Sequence, residues 1–197
     1  AGLPLPVIVN RDRWQETEAN SGSAFNDSIK GDDAVPSLLG GAGFTGCDAL
    51  DQAGLDRISG LAALLPPVAG FPETAAAVAG RSFPGACPLT GNVWGQGNIL
   101  LGGAGSDTIE GRGANDIIDG DKALTVRISV RNNPADAATQ IGSADLMESQ
   151  YLRDSTGALT GPTLQAAVFA GTVDPGNIVA VREILTGTGG TDTAVFS

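Results

Sequence analysis

Histidine is absent from the 197 residues. Without an imidazole there is no Ser-His-Asp triad, no His-ligated haem and no ordinary zinc site, which removes most hydrolases from consideration. Basic side chains are scarce: 11 Lys and Arg stand against 22 Asp and Glu, giving a net charge of −11 and a pI near 4.2. Such a surface repels a polyanion, so nucleic acid is not an expected partner. No apolar run reaches the roughly 18 residues a membrane span needs. The longest, 58–68, is broken by Gly60, Pro66 and Pro67. There is no basic, apolar leader at the start, and the closing TDTAVFS stops inside what reads as a strand. Both ends suggest a module of a longer chain.

Glycine is plentiful, 29 of 197 residues, about twice its usual share. It concentrates in 98–121, where two nine-residue units abut. GGAGSDTIE (102–110) fits G-G-x-G-x-D-x-U-x at every fixed position. GRGANDIID (111–119) keeps Gly111, Gly113, Asp116 and Ile118, with Arg112 and Asn115 read as standing where glycines are preferred. A degenerate unit precedes them, with Asn98 in the Asp position and Leu100 in the apolar one.

Each unit has a simple physical reading. Its glycines supply positive φ, so six residues form a tight loop aiming carbonyls and one carboxylate at a common point. Three residues then form a short strand with one apolar side chain facing inward, Ile109 in the first unit. A single unit buries too little to stand alone, so units stack, and stacking crowds carboxylates from turns two units apart along one edge. A hard cation taking six to eight oxygen ligands relieves that repulsion, and calcium suits it better than magnesium. The pattern is that of a calcium-binding nonapeptide in a parallel β-roll.

On these residues the tract resembles the RTX (hemolysin-type) family of secreted calcium-binding proteins. The resemblance implies Ca2+ held by position-six carboxylates and by carbonyls at positions one and three. In this chain those are Asp107 with Gly102 and Ala104, and Asp116 with Gly111 and Gly113. Asn98 holds the corresponding place in the degenerate unit, and Asp119 and Asp121 extend the set at the exit turn. WGQGNILL (94–101), IIDGD (117–121), VDPGN (173–177) and DTAVFS (192–197) extend the likeness to the accessory module of very large secreted bacterial proteins that join RTX repeats to animal-type haem peroxidase domains. The likeness spans most of 25–197. It implies a calcium-dependent extracellular accessory module, exported by type I secretion within its parent chain, and not the peroxidase itself.

The expected fold is mainly β with helical insertions: a short parallel β-roll (RTX solenoid), interrupted by a disulfide-bracketed helical insertion and closed by a small α+β subdomain. Residues 1–24 form a linker or edge segment, with Trp14 a packing anchor. Residues 25–47 form a degenerate repeat tract whose register holds through Ile29, Leu38, Gly31 and Gly40, with Asp27 its best ligand and Asp32 and Asp33 either ligands or solvated turn residues. The insertion, 48–92, reads as two helices, 51–65 and 72–79, the first presenting Leu55, Ile58, Ala62 and Leu65 on one face. Cys47 and Cys87 sit at its borders and suggest a disulfide, the alternative being two buried thiols. Closing so long a loop is worth roughly 4 kcal/mol in the chain-entropy model, and a disulfide fits an oxidising setting. The main tract is 93–121, with Trp94 capping the apolar interior of the stack. In 122–186, a strand over 124–130 pairs with one over 178–185, and helices are expected over 143–152, capped by Ser143, and from 160 to Gly171 with Leu164, Val168 and Phe169 facing in. Residues 187–197 form a roll-like exit strand, with a weak loop at Gly189, Gly190, Thr191 and Asp192.

Three functions follow from this reading. The first is a calcium-dependent folding and stabilising module, whose partners are calcium and the neighbouring domains of its parent chain. The second is adhesion or recognition of a partner or glycan through 48–92. The third is calcium-dependent autoprocessing at Asp174-Pro175. No nucleophile–base pair suggests conventional catalysis.

Overall fold

The computed structural model describes residues 19–35, 50–65, 73–74 and 90–196. It is mainly β with few helices. Two three-residue strands come first, β1 (Ala19–Ser21) and β2 (Ser28–Lys30). Next are β3 (Leu50–Asp51), the one-turn helix α1 (Gln52–Leu55), β4 (Ile58–Ser59), a 3-10 turn (Leu61–Leu64) and β5 (Glu73–Thr74). The glycine-rich tract supplies β6 (Asn92–Trp94), β7 (Ile99–Leu101), β8 (Thr108–Arg112) and β9 (Ile117–Asp119). The long strand β10 (Lys122–Arg131) leads into β11 (Gln140–Ala144), β12 (Gln150–Arg153), β13 (Leu159–Thr163), helix α2 (Leu164–Phe169) and β14 (Ile178–Thr186), and β15 (Thr193–Phe196) closes the order.

Two small parallel sheets position the glycine loops. One has the order β1-β7-β9, with Asn20, Leu100 and Ile118 in register; the other has β15-β8-β2, with Ala194, Ile109 and Ile29 in register. Strands of the two sheets alternate along the chain, and one apolar residue each from β2, β7, β8 and β9 turns between them. Ile29, Leu100 and Ile109, with Ile118, make this narrow core. Leu100 and Ile109 are fully buried, each contributing about 1.5–3 kcal/mol. Residues on either side of Leu100 point the opposite way, as strand geometry requires. Ile99 and Leu101 therefore pack outward, against Leu55, Leu61, Leu65 and Trp94. Trp94 thus belongs to this outer layer, not to the interior between the sheets.

The remaining architecture is a four-stranded sheet, β11-β10-β14-β4, built on the long antiparallel pair of β10 and β14 from Lys122↔Thr186 to Val130↔Ile178. The pairing expected between 124–130 and 178–185 is therefore present. One end of its face is covered by Tyr151, Leu164, Ala167 and Val173, which enclose Val130 and Ala144. The other end is open, so Leu124 and Val126 remain 38% and 53% exposed despite their alternation.

Helix content is lower than the local patterns predict, for identifiable reasons. Residues 51–65 form one α-helical turn, Gln52–Leu55, and one 3-10 turn, Leu61–Leu64, not a continuous helix. Ile58 and Ser59 instead join β14 in parallel, and Gly60 at φ 83° breaks the path. Glu73 and Thr74, expected in a helix, pair antiparallel with Val93 and Asn92; 75–79 lie outside the described residues. Residues 143–152 are not helical either: Ser143 and Ala144 pair with Ser129 and Ile128, taking up the hydrogen bonds that the edge of β10 offers. In the last case Pro162 lies in strand β13 and the helix starts two residues later. Thr163 caps it through a bond from the Ala166 N–H, Leu164 and Ala167 face inward, and Phe169 is 82% exposed. Leu38, Gly40, Trp14, Cys47 and Cys87 lie outside the described residues, and the proposed disulfide with them.

Candidate metal centre

Six-residue loops link the two parallel sheets. GSAFND (22–27) joins β1 to β2, and GGAGSD (102–107) joins β7 to β8. A third loop of the same kind is split. Gly120 follows β9, the chain departs through β10, returns from β14 at Gly187, and Asp192 immediately precedes β15. The halves of the split loop meet where the Gly187 N–H donates to the Asp121 carbonyl at 2.6 Å. The three loops stack along one edge. Ala104 N–H donates to Ser23 O at 3.0 Å and Gly105 N–H to Gly189 O at 3.3 Å. Ser106 N–H donates to Asn26 Oδ1, and Thr191 N–H to Ser106 Oγ, both at 2.9 Å.

The position-six residues form a ladder. Asp27 N–H donates to Asp107 Oδ1 at 2.7 Å, and Asp107 N–H donates to Asp192 Oδ1 at 2.9 Å. Asp107 is 1% exposed, and its Oδ2 is buried with no hydrogen-bond partner. Glycine at position one makes room for that oxygen. A Cβ on Gly102 would collide with both Asp107 Oδ2 and the Gly120 carbonyl oxygen. The same arrangement recurs at Gly22, whose Cβ would meet Asp27 Oδ2 and the Gly102 carbonyl. There, however, Asp27 Oδ2 accepts from the Ser23 N–H at 2.6 Å and the Ser23 hydroxyl at 2.9 Å. Gly103 replaces that serine in the Asp107 loop and brings no hydroxyl.

The opposite edge carries GRGAND (111–116), stacked against Gly31, Asp32 and Asp33 on one part and Gly97 and Asn98 on another. Here too one loop is divided, with Gly31 in position one and Asn98 in position six: a Gly31 Cβ would meet Asn98 Oδ1 and the Gly111 carbonyl, each at 2.6 Å. Asn98, nearly fully buried, is fully engaged. Its Oδ1 accepts from Asp32 N–H at 2.9 Å, its Nδ2 donates to Asp32 Oδ1 at 3.3 Å, and its N–H donates to Asp116 Oδ1 at 2.8 Å. Asp33 Oδ1 accepts from Gly113 N–H at 2.9 Å. Burial pushes the Asp116 carboxyl above the ordinary range, the Asn98 N–H opposes that, and the charges of Asp32 and Asp33 add to it.

Asp107 and Asp116 therefore serve different edges, each beside partners distant in sequence. The Gly102, Gly111 and Gly120 carbonyls each border the preceding position-one glycine or its loop. Asp119 is occupied otherwise: its Oδ1 accepts from Asp121 and Lys122 N–H groups at 3.1 and 3.0 Å, closing the turn into β10. The backbone corrects one detail of the second unit. The residues at positive φ are Arg112 (69°) and Ala114 (75°), matching Gly103 (105°) and Gly105 (118°), so Ala114 and not Asn115 replaces the second glycine. Asp192 was absent from the expected ligand set. The match of GTGGTD (187–192) to GGAGSD was its available signal.

The donors facing these loops are carboxylate and carbonyl oxygens, a set suited to a hard cation and not to zinc or copper. Among the described residues no three Asp, Glu, Cys or His side chains form a ready-made metal cluster, so backbone carbonyls would supply a large part of any coordination shell. No helix of the described residues is long and apolar enough to cross a membrane. No family model matches the chain, and neither a curated protein nor a solved structure does.

Proposed function

We propose that this chain is a calcium-binding module in which two stacked parallel sheets act as a short RTX-type β-roll, folded and stabilised by the ion. The observation that carries the reading is Asp107: a fully buried carboxylate with one oxygen left without a partner, in a cradle kept open by Gly102. A buried carboxylate that lacks a partner costs several kcal/mol, so this position calls for a compensating cation. Calcium, when bound, supplies the positive charge that Asp107 and Asp116 lack. The glycines at position one keep side chains out of the site, the position-six N–H groups orient successive carboxylates, and the short strands fix the loop spacing. The net charge of −11 and the RTX-like nonapeptides support an exported, extracellular setting within a longer parent chain.

Coupling of binding to folding makes the ion part of the stability. Far-UV circular dichroism of the chain, stripped with chelator and then titrated to millimolar calcium, is expected to gain strand signal cooperatively. A spectrum identical in both conditions counts against the proposal.

Neither alternative gains support. Residues 50–65 direct Leu55, Leu61 and Leu65 into the core, which favours a structural role over recognition for this part of the insertion. The Asp174 carboxylate accepts from the Gly176 N–H at 2.8 Å and caps a 3-10 turn, a structural use of the Asp174-Pro175 pair.

A further inference from the structure

The two divided loops are closed differently. On the edge of Asn98, the closing contact is between neutral amide and carboxylate: Asn98 and Asp32, 66 residues apart, exchange two hydrogen bonds. The Asn98 side chain brings no charge of its own, and this pair joins the two ends directly. On the edge of Asp107, the halves of the other divided loop meet through the Gly187 N–H and the Asp121 carbonyl, and Asp192 Oδ1 accepts from the N–H of Asp107 in the neighbouring loop, 85 residues away. Two carboxylates are thereby brought to adjacent positions, and among the described residues no Lys or Arg pairs with either. Asp107 Oδ2 and the Gly120 carbonyl oxygen both close on the point where a Gly102 Cβ would stand, and Asp192 Oδ2 closes on the corresponding point at Gly120. Gly120 and Asp192 are the departure and return points of the segment that contains β10 to β14.

Resting on the calcium reading above, we infer that the ion held by Asp107 is shared with Gly120 O and Asp192, so that calcium clamps together the two ends of the 121–191 insertion, whereas the ends of the 32–97 insertion also have a latch that needs no ion, the Asn98–Asp32 pair. Asp27 is not the partner in this clamp, because its Oδ2 is already held by the Ser23 N–H and hydroxyl. The clamp closes the base of the β10–β14 hairpin where Gly187 N–H meets Asp121 O. Loss of the ion would therefore free this insertion before the other.

A crystal structure of the full 197-residue chain grown in calcium chloride tests the assignment. Expected is an anomalous peak with Asp107 Oδ2, Gly120 O and an Asp192 carboxylate oxygen at about 2.3–2.6 Å. An ion on Asp107 completed by Asp27 and Gly22, with Asp192 outside the shell, overturns the clamp and leaves the calcium reading intact. Absence of calcium from every loop removes both. In solution, Asp192→Asn should weaken calcium binding at one site by about ten-fold or more, since ligand charge sets calcium affinity over decades. At saturating calcium it should also accelerate amide exchange at Gly187 at least several-fold while leaving Asp32 unchanged. Equal acceleration at both amides, or at neither, contradicts the clamp. If Asp192→Asn does not fold, the crystal structure of the unmodified chain decides alone.

Discussion

Asp107 sits where two opposing demands meet. Its Oδ1 is needed to orient the next loop, and its Oδ2 has nothing to bond within the protein. Removing the charge while keeping the shape should therefore change sign with conditions. In chelator, Asp107→Asn is expected to raise stability by about 1–3 kcal/mol, the scale of an unsatisfied buried polar group. In calcium at a hundred times the dissociation constant, it should forfeit about 2.7 kcal/mol of binding-derived stability. Urea unfolding in both buffers checks this crossing; a variant destabilised equally in both gives Asp107 a purely structural role. Asn98, the position-six residue of another loop, already shows the neutral solution in this chain. Ala114 offers a second residue-scale test. At φ 75° it holds a conformation glycine adopts freely, so Ala114→Gly should stabilise by about 1 kcal/mol, read as a rise of about 2–4 °C in Tm for a domain of this size.

Among the elements, the short strands of the glycine-rich tract, β7, β8 and β9, were legible because each is specified by its own nine residues. Loop glycines, a position-six carboxylate and one apolar residue suffice to place Thr108–Arg112 after 102–107. The helices were not, because their competitors are remote. Ser143 and Ala144 have a passable helical pattern, yet the free edge of β10 offers them ladder bonds that no local window contains. Ile58 is diverted in the same way by β14. Asp192, read only as part of a weak loop, was not placed among the ligands because its partner lies 85 residues upstream. The register of α2 is open to direct test. Leu164→Ala should cost about 2–5 kcal/mol, and Phe169→Ala should stay within about 0.5 kcal/mol. Comparable losses at both positions would restore the inward Phe169 that the periodicity suggests.

The junction at Asp51 carries a pH dependence of its own. Burial disfavours its charge, but bonds from the Gly54 N–H and the Thr90 N–H and hydroxyl, together with Arg57, outweigh that and hold the carboxyl below its ordinary value. The folded form then binds fewer protons than the unfolded one. Its contribution is present above the unfolded pKa, near 3.9, and is lost as pH falls through the lower folded value. Amide protection factors at Gly54 and Thr90 should decline together on acidification below about pH 4, and Asp51→Asn should remove that decline. Protection that holds or rises there contradicts the assignment.

At the scale of the whole molecule, a narrow double sheet carries two large insertions leaving from opposite edges. Its own interior is small, Ile29, Leu100, Ile109 and Ile118, while more apolar surface is buried where 50–65 packs on its flank and within the β10–β14 unit. The sheets thus depend on what is attached to their edges and faces, and the loops that hold those attachments are the acidic ones. Calorimetric titration of the chelator-stripped chain with calcium is the most direct measurement. Saturable binding that disappears in part with Asp107→Asn and in part with Asp116→Asn is the expected result. An unmodified chain that takes up no calcium at millimolar concentration, yet unfolds cooperatively with its sheets intact, would contradict the central claim.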